Sequence, residues 1–357
     1  MARSTDSPTT AFGVSWWNRA QARDMADGPL EFVDTPDAVI RAAADGRDVL
    51  VWASREPPDL TEAVAFGGGK IVRVEDGFIR SPGLGAHFSP AYSLIFDRSG
   101  VYYDSTGSSD LETLLATHGF GDDLKARAAA LRRRLVGLAV SKYAVGRGQA
   151  PERPAGRTTM LVVGQVEDDA SIRLGGAEVR TNLELLEAAR AAEPTAWIAY
   201  KPHPDVLFAG RPGDVAPNAL AKLADAVWPD IPIASALDWA DAVCTISSLA
   251  GFEALLRGKR AIVYGRPFYA GWGLTDDRAP QPARRGRALD IDALTAATLL
   301  LYPRYLDPYD RKRIQAEDLV DRFEAGWTDP LVGRPLWHRA LAFGKRRLGP
   351  LRRRYRR

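Results

Sequence analysis

The sequence predicts an α/β protein of two doubly wound, Rossmann-like domains, and three observations carry that expectation. At 357 residues with 46% hydrophobic side chains, the chain exceeds what one core usually organises. Short apolar strands alternate with helical spacing twice over, once before residue 145 and once after residue 158. Between the two runs lies Gly146-Arg147-Gly148-Gln149-Ala150-Pro151-Glu152-Arg153-Pro154-Ala155-Gly156, a Pro/Gly/Arg-rich stretch poor in residues that pack.

In the first run, helical spacing covers Pro36 to Ala44 and apolar strands cover Asp48 to Ala53 and Lys70 to Val74, which implies a parallel sheet. Tyr92 to Phe96 and Val101 to Tyr103, joined by the turn residues Asp97-Arg98-Ser99-Gly100, are expected to form a hairpin. Helices over Asp110 to Leu115 and Asp123 to Leu138 close this half, with Arg132, Arg133 and Arg134 on solvent. The second run places strands at Thr159 to Val163, Ala196 to Lys201, Ala242 to Ile246 and Ala261 to Tyr264, with helices at Asn182 to Ala192 and Ser248 to Arg257. The expected domains are therefore 1–145 and 158–300, joined by a linker at 146–157 and followed by a helical segment at 301–330 and a basic tail at 331–357. Two such domains facing one another across a cleft make a GT-B type architecture.

Composition excludes several classes. Cys244 is the single cysteine, so no internal disulfide forms, and its apolar neighbours make it a buried strand residue rather than a nucleophile. The first residues lack the apolar core of a secretory signal, and no run of about 18 apolar residues occurs, so the expected location is cytoplasmic. With 48 Lys and Arg against 45 Asp and Glu, the chain as a whole is no polyanion binder. The exception is Lys345 to Arg357, with eight basic residues and no acid. That tail suits an anionic inner-membrane surface, while no recognition motif accompanies it that would point to nucleic acid.

Five stretches carry candidate chemistry. Tyr200-Lys201-Pro202-His203-Pro204 follows a predicted strand, where open α/β sheets bind ligands, and Lys201 and His203 on a proline-stiffened loop suit a nucleotide phosphate. Thr245-Ile246-Ser247-Ser248 leads from strand into helix and offers hydroxyls and free amides to the same phosphate. No Gly-rich dinucleotide fingerprint or P-loop is present, so neither NAD nor ATP is expected. Glu75-Asp76-Gly77 also ends a strand and provides paired carboxylates fit for a general base. Gly164-Gln165-Val166-Glu167-Asp168-Asp169 puts three acids at another strand end, where they are solvated, bind metal or act chemically. With only His87, His118, His203 and His338 in the chain, metal is not favoured, and no cofactor is expected. Lastly, Tyr264 to Asp277 is an aromatic, Gly-rich loop in which Tyr269 and Trp272 serve either a sugar or packing.

The segments Glu75-Asp76-Gly77-Phe78-Ile79-Arg80-Ser81, Gly164-Gln165-Val166-Glu167-Asp168-Asp169-Ala170-Ser171-Ile172, Lys201-Pro202-His203-Pro204 and Pro267-Phe268-Tyr269-Ala270-Gly271-Trp272-Gly273-Leu274-Thr275 resemble the capsule polysaccharide biosynthesis family of retaining β-Kdo transferases over roughly residues 70–325. The resemblance implies the GT-B fold, CMP-Kdo as donor, a saccharide or glycolipid acceptor, and β-linkage with retention through a covalent intermediate. By that resemblance Asp169, in the Gln-x-x-x-Asp-x-Ser pattern, is the nucleophile, with Asp168 the alternative; Glu75 or Asp76 handles the acceptor proton. It implies that Lys201, His203, Ser247 and Ser248 meet the CMP phosphate, and that Arg80 or Arg173 holds the Kdo carboxylate, with Gln165 also a sugar contact. The best-known capsule members carry two such modules, whereas this chain holds one. The competing expectations are a transferase for another CMP-sugar, such as a sialic acid, and a non-catalytic assembly or export scaffold.

Overall fold

A computed structural model describes residues 8–81, 90–140 and 148–327. In chain order the elements begin with β1 (Thr9–Phe12), α1 (Arg19–Met25), β2 (Leu30–Val33), α2 (Pro36–Ala44), β3 (Val49–Trp52), α3 (Leu60–Gly67), β4 (Ile71–Asp76) and β5 (Ser93–Asp97). Next come α4 (Asp110–Thr117), α5 (Asp122–Gly137), β6 (Thr159–Val163), α6 (Ala170–Gly175), α7 (Asn182–Ala192), β7 (Trp197–Lys201), α8 (Pro204–Ala209), α9 (Pro217–Leu223) and β8 (Ala226–Val227). The rest are α10 (Ile233–Trp239), β9 (Ala242–Thr245), α11 (Leu249–Leu256), β10 (Arg260–Val263), β11 (Asp276–Asp277), α12 (Ile291–Thr295), β12 (Pro303–Leu306), β13 (Arg313–Ile314) and α13 (Ala316–Glu324). Among the described residues, one compact unit takes those up to 101, 107–113 and 297 onward; the other takes 102–106 and 114–296.

The first unit is built on a seven-stranded sheet in the order β13-β12-β5-β4-β3-β1-β2. Its β2, β1, β3 and β4 are mutually parallel, as the alternation of helix and strand implies. Val39 and Ala43 of α2 and Leu60 and Val64 of α3 cover Val49 and Val51 of β3. The rest of the sheet departs from expectation. β5 runs antiparallel to β4 and to β12, and residues 101–103 form a turn, so the expected hairpin does not exist. Residues 303–306 and 313–314, expected within a helical segment, are strands of this sheet.

Asp97 explains why the turn after β5 looks like hairpin chemistry. Its Oδ1 accepts the amides of Ser99 and Gly100 at 2.9 and 2.7 Å. Its Oδ2 accepts the Asp110 amide at 3.0 Å and the Tyr302 hydroxyl at 2.7 Å, which ties three distant segments to one buried carboxylate.

The second unit has a six-stranded, wholly parallel sheet in the order β8-β7-β6-β9-β10-β11. Counted within the unit this is 3-2-1-4-5-6, the Rossmann order. Alternate residues of β6 enter different cores: Met160 and Val162 meet Leu185 and Leu186 of α7, while Leu161 and Val163 meet Ala236 and Leu237 of α10 and Ala250 of α11. Helices therefore cover both faces, which is the doubly wound arrangement.

Helix α5 was expected to close the first half, yet it belongs to this unit. It packs on α12, with Lys125 bonded to Asp290 at 2.7 Å and Arg132 to Asp292 at 3.0 Å. Arg132 is thus paired rather than simply solvated. The described part of the expected linker is not loose either. The Gly148 amide bonds the Asp230 carbonyl at 3.2 Å, Ala150 bonds Ser235, and the Arg153 guanidinium pairs with Asp241.

Asp241 also accepts both the amide and the hydroxyl of Thr159, each at 2.9 Å. Burial opposes its ionisation, but the Thr159 donors and Arg153 outweigh that and bring its pKa down to about 2. Because the folded value lies below the unfolded one, the stabilisation is complete above the ordinary Asp pKa of about 3.9 and fades as pH falls toward 2. Urea midpoints are therefore expected to favour wild type over Asp241→Asn at neutral pH, and to converge between about pH 4 and pH 2.

Candidate functional site

In the second sheet the chain leaves β6 toward β7 on one side and leaves β9 toward β10 on the other. The carboxyl ends of β6 and β9 thus flank the switch point where open α/β sheets bind ligands. The loop after β6 starts at Gly164, where a Cβ would lie 2.6 Å from the Tyr200 hydroxyl, so only glycine fits without displacing that ring. Gln165 follows, and its buried carboxamide joins the two strand ends. Its Oε1 accepts the Ser247 amide at 2.9 Å and the Thr245 hydroxyl at 3.2 Å, and its Nε2 donates to Ser247 Oγ at 3.2 Å.

The three acids that follow have three different occupations. Glu167 accepts the Asn182 amide, the first of α7, at 2.8 Å, beside the Thr181 cap of that helix. Asp168 pairs with Arg211, whose Nε donates to Oδ1 at 3.0 Å. Asp169 caps α6 through Oδ1, which accepts the Ser171 amide at 2.9 Å and the Ser171 hydroxyl at 2.8 Å. Among the described residues no hydrogen bond is made to Asp169 Oδ2, so one oxygen of this carboxylate has no protein donor. Asp168 is thus held by an arginine side chain and Asp169 by the start of α6.

His203 caps α8, its Nδ1 accepting the Asp205 amide at 3.1 Å. An accepting Nδ1 puts the proton of the neutral ring on Nε2. Burial pushes this imidazole below its ordinary range; the carboxylates of Asp205 and Asp169 pull the other way, while the Arg211 and Lys201 cations add to the downward shift. Asp169 is thus close enough to His203 to act on its titration. Ser248 caps α11, accepting the Ala250 amide at 3.2 Å, which leaves its hydroxyl proton to donate.

The profile of the family described as "Capsule polysaccharide biosynthesis protein" matches residues 47–120 and 116–305. The chain belongs to the capsule polysaccharide biosynthesis family. Among curated relatives, the lipopolysaccharide-processing protein LpsZ of Rhizobium meliloti is 45% identical over 304 residues, 82% of this chain and 69% of that one. The capsule polysaccharide modification protein LipA of Neisseria meningitidis serogroup A is 40% identical over 313 residues, 85% of this chain but 44% of LipA. This chain therefore spans less than half the length of LipA. Two structures of Thermosulfurimonas dismutans KpsC are similar. The β Kdo 2,7 transferase is 34% identical with a TM-score of 0.74, over 89% of this chain and 99% of that one. The β Kdo 2,4 transferase is 29% identical with a TM-score of 0.75, over 89% and 98%.

Not every expected site residue of this family member is placed to meet a ligand. Lys201 is buried, and its ammonium donates to the carbonyls of Ile231 and Trp228, where burial lowers its pKa against the pull of Asp230. It holds the segment after β8 and is not presented as a phosphate ligand. The Ser247 hydroxyl donates to the Ser171 carbonyl at 3.0 Å and accepts from Gln165, so both Ser247 and Gln165 are spent on joining loops. Tyr269 and Trp272 have no exposed surface. The Tyr269 hydroxyl donates to the Ser248 carbonyl and the Trp272 indole to the Phe268 carbonyl, which decides between sugar platform and packing in favour of packing. Arg173 is exposed on α6.

In the first unit, Glu75 and Asp76 are successive residues of β4, so their side chains leave opposite faces and cannot act as one pair. Asp76 bonds the buried Arg80 guanidinium at 2.7 Å, and Arg80 also donates to Ser81 Oγ at 2.8 Å. Arg80 is thus tied to its own segment through Asp76 and Ser81. Among the described residues no group of three or more His, Cys, Asp and Glu is placed to hold a metal ion.

Sequence reasoning missed Asn182, Ser171 and Arg211. Asn182 is fully buried and clamps the Gln165 backbone from both sides, accepting its amide and donating to its carbonyl, each at 2.8 Å. Its Nδ2 also donates to the Gly213 carbonyl at 2.7 Å. Nothing in the local pattern Thr181-Asn182-Leu183-Glu184 shows more than a helix start, because the partners lie far off in sequence. Ser171 was visible as the serine of the Asp-x-Ser pattern, but not as a donor.

Proposed function

We propose that this chain transfers Kdo from CMP-Kdo to a saccharide acceptor, with retention of configuration through a covalent intermediate on Asp169. The observation that carries the proposal is the state of that carboxylate: one oxygen clamped by Ser171, the other with no donor among the described residues, within electrostatic reach of His203 at the switch point of the sheet. Similarity to two KpsC structures titled as β Kdo transferases supports the same reading.

In the first displacement Asp169 Oδ2 bonds to the anomeric carbon as the bond to the phosphate oxygen breaks, and CMP leaves with the electron pair. In the second, an acceptor hydroxyl attacks that carbon, its proton passes to a general base, and the Asp169 carboxylate departs. Two inversions give retention. His203 and the Ser248 end of α11 meet the phosphate, which the helix amides help to neutralise, and the reading uses no metal. The acceptor is lipid-linked in this proposal, and Lys345–Arg357 meets an anionic inner-membrane leaflet; that tail lies outside the described residues. No helix among the described residues is long and apolar enough to cross a membrane.

The test is intact-protein mass spectrometry after mixing with CMP-Kdo generated in situ. One added Kdo residue supports the proposal. Absence of an adduct with CMP still released on adding acceptor points to direct displacement, and faster hydrolysis of CMP-sialic acid than CMP-Kdo overturns the donor. His203→Ala is expected to weaken CMP binding by about 1–3 kcal/mol, the loss of one hydrogen bond to a charged group, as read by calorimetric titration.

A further inference from the structure

A carboxylate with two equivalent oxygens attacks efficiently only if one of them is held and the other presented. We infer that Ser171, braced by Ser247 and Gln165, is the positioning residue that turns Asp169 Oδ1 inward and Oδ2 outward; the inference rests on Asp169 being the nucleophile. Ser171 meets Oδ1 twice, through its amide at 2.9 Å and its hydroxyl at 2.8 Å. Its carbonyl is gripped in turn by the Ser247 hydroxyl at 3.0 Å, and Ser247 is gripped by the Gln165 carboxamide through two bonds, at 2.9 and 3.2 Å. Gln165 and Ser247 are only 6% and 9% exposed, and Asn182 locks Gln165 to the start of α7. The string runs without a break from the seam between β6 and β9 to the carboxylate, so rotation of Asp169 would cost bonds anchored in the core.

The same contacts have a second use. When the sugar ester forms at Oδ2, Oδ1 becomes the ester carbonyl, and the two Ser171 donors already aimed at it stabilise the charge that returns when the carboxylate leaves. Ser171 therefore orients Asp169 in the first displacement and eases its departure in the second.

Rapid-quench mass spectrometry of the full chain with CMP-Kdo generated in situ separates these effects, with CMP affinity measured in parallel. Ser171→Ala keeps the backbone donor and the Asp169 cap but deletes the hydroxyl. Its adduct is expected to form more slowly and, on adding acceptor, to decay about 10- to 100-fold more slowly than wild type, with CMP affinity unchanged. Ser171→Thr, which restores a hydroxyl, is expected to recover most of both rates. Ser247→Ala removes the brace and leaves both donors, so a severalfold slowing of adduct formation at unchanged CMP affinity is expected; this variant carries the test if Ser171→Ala does not fold. Wild-type rates of formation and decay in Ser171→Ala, or in Ser247→Ala where it replaces it, overturn the inference while Asp169 stands. A wild-type chain that turns over but never carries the adduct overturns the nucleophile itself.

Discussion

Asp169→Asn is expected to lower transfer on the order of 10,000-fold or more, and to abolish the Kdo adduct, while CMP affinity stays within about twofold of wild type. The variant is suited to the question because it is almost isosteric and asparagine is as good a helix cap as aspartate. The bonds from the Ser171 amide and hydroxyl at 2.9 and 2.8 Å can be kept by the amide oxygen, so α6 and its loop should stay in place. What is lost is the charge and lone-pair reactivity at Oδ2, which in the proposed mechanism meets the sugar and not the phosphate. The result is checked by single-turnover transfer assays beside calorimetric CMP titration. Equal loss of CMP affinity in Asp169→Asn and His203→Ala would contradict the division of labour, and wild-type polysaccharide production by Asp169→Asn would favour the non-catalytic reading.

The four central strands of the second unit, β7, β6, β9 and β10, were legible because they are largely buried and therefore read as continuous apolar runs ending in polar loops, whereas the two-residue edge strands β8 and β11 carry no such signal. The run 159–163 coincides with β6, and Ala242–Thr245 lies inside the expected strand 242–246. The first unit was less legible where distant segments complete it. Ser93–Asp97 is wholly buried, but a buried run does not reveal its partners, and those lie at residues 71–76 and 303–306. The residues Asp97-Arg98-Ser99-Gly100 do make a turn, and its cause is a carboxylate that also bonds Tyr302. The same limit governed the site. Sequence order located the acids, the histidine and the serines at strand ends, because that is a property of the local pattern. Which side chains are spent internally depends on contacts across the fold: Lys201 on the carbonyls of Trp228 and Ile231, Gln165 on Ser247, Arg80 on Asp76. Charged and amide groups placed near a site are also the groups best able to build it, and spacing cannot separate the two uses.

That distinction is sharpest at Trp272, where replacement by alanine is expected to cost about 3–5 kcal/mol of stability. The ring is fully buried, its indole donates to the Phe268 carbonyl at 2.8 Å, and its carbonyl accepts the Leu289 amide at 2.9 Å. Gly271 and Gly273 on either side have φ values of +86° and +80°, a left-handed backbone that lets the chain turn sharply around the indole. Arg285 gathers the same loop by donating to the Pro267 and Ala270 carbonyls at 2.6 and 3.2 Å, and Tyr269 ties it to Ser248 at the start of α11. Removing the indole opens a cavity and strips the Phe268 carbonyl of its donor, both unfavourable. Urea unfolding of Trp272→Ala should therefore show a large fall in midpoint with little change in slope, and Trp272→Phe a smaller one. A sugar platform would behave oppositely, with near-normal stability and a raised donor KM. If the loop acts as packing that fixes the Ser248 cap, Trp272→Ala under conditions where it remains folded should lose CMP affinity and donor affinity together, because what it disturbs is the phosphate end of the site rather than a contact with the sugar.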